Sequence, residues 1–191
     1  MSEQETIDLL KREPWRRELT EKDQLLSLQR LIRHRTKNVR KVLAKHGVAL
    51  GELIDDSAWE VREMVAEQGF GLEVLAYDEN SNVRYKVAEK GVCLERLVTD
   101  KSAFVRRAVA QKGFGLDKLI HDEDKFVRFQ VAGQGFGLET LMYDKSSDVR
   151  AVVARKGHGL EVLLYDKDFI VRFAAQEALE ELSKQKTMKK N

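Results

Sequence analysis

Apolar positions along this chain recur in one order every 22 residues, most legibly from Val105 to Phe126, VRRAVAQKGFGLDKLIHDEDKF. The phrase starts at Val39, Val61, Val83, Val105, Val127 and Val149, and a seventh copy from Val171 loses the pattern partway. With that Val as position 1, position 5 is Leu43, then Val65, Val87, Val109, Val131 and Val153. Position 6 is Ala44, Ala66, Ala88, Ala110, Ala132 and Ala154. Positions 1 and 5 share one helical stripe, and the small Ala lets another backbone approach. Gly follows at position 9 in six copies, directly after a polar pair, which is the composition of a helix stop.

The second half of the phrase is shorter in reach. A small residue stands at position 11 (Ala49, Gly71, Cys93, Gly115, Gly137, Gly159), and Leu recurs at positions 12 and 15. That i, i+3 pair suits a short α or 3₁₀ turn. Position 18 is Asp56, Asp78, Asp100, Asp122, Asp144 and Asp166, an acid placed to cap the next helix. One helix of about 9–11 residues and one short turn fill such a unit. Nothing alternates with period two, so strands are not expected. The predicted fold is all-α: a right-handed α-solenoid of six to seven units, each burying its apolar face against its neighbours.

The ends depart from the pattern as caps should. Residues 1–38 read as an N-terminal helical cap with a degenerate first unit. Ser2 and Glu5 form a capping box before a helix over 3–12, which Pro14 ends. Thr20 with Asp23 starts a second helix, in which Leu28 and Leu31 keep positions 12 and 15 while His34 stands in the Asp slot. Residues 39–170 are the array. Residues 171–191 are a capping helix to about Ser183, with Ala174, Ala175, Ala178, Leu179 and Leu182 on one apolar face, then a basic tail.

The phrase VRxxVA, then Gly, then LxxLxxD, resembles the leucine-rich repeat variant and, more distantly, HEAT repeats. The resemblance covers about residues 39 to 175. It implies an interaction scaffold. Members of the variant family that carry an iron–sulfur cluster have a cysteine-rich N-terminal segment, whereas this chain has the single Cys93. No cofactor or metal is therefore expected. HEAT-like repeats also pair Asp with Arg as an internal ladder. Here position 2 is Arg in every copy: Arg40, Arg62, Arg84, Arg106, Arg128, Arg150 and Arg172. Asp at position 18 and Arg at position 2 of the next phrase stand six apart, as in Asp78 and Arg84, so the row is expected to be structural.

Charge changes the picture only locally. The net charge of the chain is +2, yet residues 24–51 hold seven Lys or Arg and no acid, while residues 52–79 hold nine acids and one Arg. Arg30, Arg33, Arg35, Lys37, Lys41 and Lys45 are the candidate polyanion-binding residues, with His46 beside them. Position 17 gives a second candidate, a contact stripe of Tyr77, His121, Tyr143 and Tyr165. At position 10, Phe70, Phe114 and Phe136 read as core. The cation- and Gln-rich row at position 8, with Lys90, Lys112 and Lys156, reads as helix ends favouring cations.

Catalysis finds no residues to carry it. The four His occupy different repeat positions without the spacing of a helical metal site. Cys93 has no local base, and GFGL lacks the Lys and the strand context of a phosphate loop. Enzymes built on HEAT-like solenoids remain an analogy of fold alone. The expected function is a non-enzymatic scaffold binding another protein, with nucleic acid at the basic N-terminal face as the alternative. No stretch approaches about 18 apolar residues, MSEQETIDLL lacks a signal-peptide core, and one cysteine suits a reducing cytoplasm.

Overall fold

The computed structural model describes residues 21–188, with the side chains of residues 25–185 and of Met188. The expected helix over 3–12, its Ser2–Glu5 box, Pro14 and the Thr20 cap lie outside the described residues. Those residues hold fourteen helices and no strand, in two compact units that meet in sequence at Cys93 and Leu94. The break falls inside the third repeat. The first unit contains α1 (Glu21–Ile32), α2 (Lys37–Lys45), α3 (Leu50–Leu53), α4 (Trp59–Glu67), α5 (Leu72–Leu75) and α6 (Ser81–Glu89). The second contains α7 (Leu94–Leu97), α8 (Ala103–Gln111), α9 (Leu116–Leu119), α10 (Lys125–Gly133), α11 (Leu138–Leu141), α12 (Ser147–Arg155), α13 (Leu160–Leu163) and α14 (Phe169–Met188).

Each repeat is one nine-residue helix and one four-residue turn of helix. Within each unit the long helices pack in series, α2 on α4 on α6 and α8 on α10 on α12 on α14, the arrangement of an α-solenoid. The core is the predicted stripe. Val at position 1, the aliphatic at position 5 and Ala at position 6 are all buried, and so is every position-15 Leu from Leu53 to Leu163. The Leu at position 12 is less enclosed: Leu72 and Leu160 are buried, while Leu94, Leu116 and Leu138 are half-buried.

The helix stop is a Schellman motif. In α4 the Gly69 N–H donates to Ala66 O at 2.9 Å and the Phe70 N–H to Val65 O at 3.3 Å, with Gly69 at φ +80°. Position 11 is left-handed too, which its small residue only hinted at. A Cβ at Gly71 would lie 2.2 Å from Ile54 Cδ1, and at Gly137 2.1 Å from Ile120 Cδ1. The residue 17 positions earlier therefore sets how much room position 11 has. Cys93 also takes φ 54°, and in its register the facing residue is Ala76, the smallest side chain in that slot.

Three expectations change. The position-18 Asp does not cap the next helix: Asp122 Oδ1 accepts the Asp124 N–H at 2.9 Å, forming a turn one step early. The cap is position 20, where Asp124 accepts from Phe126 and Val127 N–H at 2.8 and 3.2 Å and Asn80 from Asn82 N–H at 2.8 Å. The position-10 Phe residues are not core. Phe70 and Phe136 are exposed and Phe114 half-buried, because each follows the left-handed Gly that turns the chain off the helix. Finally, α14 runs on to Met188, and only Ala174, Ala175 and Ala178 of its predicted apolar face are buried, with Leu179 and Leu182 exposed.

Candidate interaction surfaces

The Arg row is internal, but its wiring differs from the sequence expectation. Arg106 Nε and Nη2 donate to Asp122 Oδ2 and Oδ1 at 2.6 and 2.8 Å, a bidentate pair 16 residues downstream in the same phrase. The six-residue link is to backbone: Arg106 Nη1 donates to Asp100 O at 2.8 Å. The same scheme joins Arg62 to Asp78 and Asp56 O, Arg128 to Asp144 and Asp122 O, and Arg150 to Asp166 and Asp144 O. Each inner Asp thus holds one Arg by its carboxylate and the next by its carbonyl. Arg84 donates to Asp78 O, and Arg172 to Asp166 O. In the degenerate first unit His34 fills the slot in kind, its Nδ1 accepting the Thr36 N–H at 3.1 Å and its carbonyl the Arg40 Nη1.

Arg62, Arg84, Arg106, Arg128 and Arg150 are buried, Arg40 and Arg172 half-buried, and none of the described residues leaves a buried side-chain polar atom unpaired. The hydrogen bond from Arg150 holds the Asp166 carboxyl below its ordinary range despite burial. In Arg62, Arg106, Arg128 and Arg150 both Nε and Nη2 are committed to a carboxylate of the same phrase.

The N-terminal basic cluster is only partly intact as a surface. Arg30, Arg33 and Arg35 are exposed on and just after α1. Lys37, however, pairs with Glu60 at 2.5 Å, and this contact holds the Glu60 carboxyl below its usual range. Lys41 and Lys45 share a groove of about 640 Å³ with Asn38, Val42, Met64, Glu67 and Gln68. Beyond it Lys86 ties Glu67 at 3.6 Å to Glu89 at 2.8 Å. The acidic block that follows the basic segment in sequence therefore folds against it. Repeat stacking places position 22 of one helix beside position 21 of the previous one.

The candidate residues at position 17 are exposed. Tyr77, His121, Tyr143 and Tyr165 all face solvent, Tyr165 to 85% of its area. Tyr143 and Tyr165 flank a notch of about 370 Å³ floored by Arg150, Asp144 and Asp166, and Tyr77 flanks one of about 390 Å³ beside Arg62 and Asp78. The ladder fills the floor of both.

A further surface escaped the sequence reading. On the long helices of the second unit, Phe104, Phe126 and Phe129 are exposed, Phe126 to 51% of its area, and α14 adds Phe169, Ile170 and Phe173. Arg107 stands 5.8 Å from the Phe104 ring centroid, Lys125 5.1 Å from Phe126 and Arg172 5.9 Å from Phe169. These aromatics occupy positions 22, 3 and 21 of the phrase. The signal was available: positions 22 and 3 carry Glu60, Asp148, Lys41, Glu63 and Arg107 in other copies, so they face solvent. In the first unit the same positions hold Asn38, Glu60, Asn82, Lys41, Glu63 and Tyr85.

Among the described residues no group of three His, Cys, Asp or Glu side chains could hold a metal ion, and no helix is long and apolar enough to cross a membrane. His34 is spent on a turn, and Cys93 is half-buried at its strained position. Compared with known proteins, the chain matches no family model and no curated protein.

Proposed function

We propose that the chain is a non-enzymatic scaffold of the leucine-rich-repeat-variant or HEAT-like kind, working in a reducing compartment, that binds another protein through the long-helix face of its second unit. The observation that carries this reading is the row Phe104, Phe126 and Phe129: exposed aromatics on helices whose opposite stripe is wholly buried. Large exposed apolar side chains grouped on a rigid face mark interaction sites, and aromatics dominate their energetics. His121, Tyr143 and Tyr165 of the second unit are a second face open to the same use. Nucleic acid at the N-terminal cluster ranks behind, because Glu60 and Glu67 share the ground that Lys37, Lys41 and Lys45 would offer to phosphate.

The test compares wild-type protein with the Phe126→Ala/Phe129→Ala variant as bait in an extract of the source cells, read by quantitative mass spectrometry. A defined set of partners retained by the wild type and lost from the variant, with far-ultraviolet circular dichroism unchanged, is the expected result. Identical retention by both baits contradicts the reading. In parallel, Arg33, Arg35, Lys37 and Lys41 are changed together to Gln. Salt-dependent binding of labelled duplex or single strands that this change abolishes puts nucleic acid first, each lost phosphate contact flattening the log–log salt slope by about 0.7–0.9.

A further inference from the structure

The long helices α8, α10 and α12 of the second unit present an excess of positive charge to solvent. Over α8, α10 and α12 the outward positions carry Phe104, Phe126 and Phe129 with four cations, Arg107, Lys112, Arg155 and Lys156. None of the four cations has an ion pair among the described residues. The one acid at these positions, Asp148, is taken up by Lys125 at 2.8 Å. The rest of the face is Gln or small. This contrasts with α4 and α6, whose equivalent positions carry Glu60, Glu63, Glu67 and Glu89 against Lys86.

Gly133 adds an independent observation. It ends α10 in ordinary helical backbone, and a Cβ built on it would meet nothing within 4 Å. Neither a left-handed turn nor a close neighbour asks for glycine there, and a helical glycine lowers stability relative to most other residues. Its place in the sequence explains what it does. Phe126, Phe129 and Gly133 follow at i, i+3 and i+7 on one stripe, so the missing side chain leaves open ground directly beside two exposed rings.

We propose that this face docks an acidic peptide segment with an apolar anchor, the anchor lying against Phe126 and Phe129 over Gly133 and its carboxylates reaching Arg155, Lys156 and Lys112. The proposal rests on the scaffold reading above and names its partner. Unpaired cations beside apolar ground attract such a segment and repel a basic one, which gives selectivity as well as affinity.

The experiment is selection of a displayed library of random short peptides on the wild-type protein, followed by affinity measurement of the enriched peptides at two salt concentrations. Enrichment of peptides rich in Asp or Glu around Leu, Ile or Phe is expected. Their affinity should fall about tenfold or more with Phe126→Ala/Phe129→Ala and with Arg155→Glu/Lys156→Glu, and should weaken as salt rises. Gly133→Gln, which copies Gln111 from the same repeat position, should weaken binding comparably while leaving the melting temperature equal or higher. Enriched peptides that depend on Phe126 and Phe129 but carry no excess of acid overturn the acidic assignment and leave the scaffold reading standing. Peptides that bind all variants alike, or none enriched, overturn both. Tight binding of labelled oligo(dT) lost in the same variants assigns the face to single strands instead. A concentration-dependent dimer lost in them assigns it to a second copy of the chain. Either result overturns the proposal.

Discussion

Asp122 does three jobs at once: its carboxylate takes two hydrogen bonds from Arg106 and one from the Asp124 N–H, and its carbonyl takes one from Arg128. Removing a partner from such a node costs more than the pair contributes, because a carboxylate is left in a partly buried place without its cation. Arg106→Ala should therefore destabilise the protein by about 1–4 kcal/mol, and the orphaned acid is Asp122 rather than Asp100. Lys112→Ala, on the exposed face, should change stability by less than about 0.5 kcal/mol. Urea unfolding of the two variants checks this. Equal, small effects would mean that the Arg row is not holding the stack together. The sequence displayed the ladder's members but not their pairing, since an Asp six residues away and another 16 residues away are equally regular in a periodic chain.

At the scale of the element, the joint between a long helix and its short companion is set by two residues, 17 apart, that compete for one space. Ile54 stands opposite Gly71, Ile120 opposite Gly137 and Met142 opposite Gly159, and in each case a Cβ on the glycine would collide. Cys93 keeps its side chain where the register sets it against Ala76. Ala76→Ile should then cost about 1–3 kcal/mol, the usual penalty of overpacking. Adding Cys93→Gly should recover most of that loss, since it restores the combination used at Ile54 and Gly71. A double-mutant cycle by thermal melting measures the coupling. Additive effects would show that the two residues do not meet. The half-buried Cys93 thus has a packing account, independent of any redox chemistry.

Within each unit the repeat is also the unit of energetics, because among the described residues each long helix packs on that of the next repeat. Deleting residues 127–148 removes one whole phrase and joins Phe126 to Val149. Arg106 keeps Asp122 as its partner, and Arg150 meets the Asp122 carbonyl in place of that of Asp144. The shortened protein should stay helical and melt cooperatively at a lower temperature, as expected when stability sums over neighbouring repeats. Deleting half a phrase, residues 127–137, should abolish the cooperative melt. Circular dichroism distinguishes the two. Similar behaviour of both deletions would separate the sequence period from the structural one.

The sequence alone determined the period, the Gly stops of the array helices, and the buried Val, Ala and position-15 Leu, because each of these follows from local backbone preference and from a stripe that recurs without slipping. It also separated the Arg row from the functional candidates, since a residue present in every copy serves the stack. What only the tertiary structure decided concerns residues whose neighbours come from the adjacent repeat. Stacking set Glu60 against Lys37 and so neutralised part of the basic cluster. It also brought Phe104, Phe126 and Phe129 onto one face with Arg155, Lys156 and the open ground of Gly133. Along the chain they are spread over successive copies and look like irregularities of the phrase. They become one surface because helices packed side by side align equal positions of successive repeats, so what varies between copies collects on the exposed side of the stack.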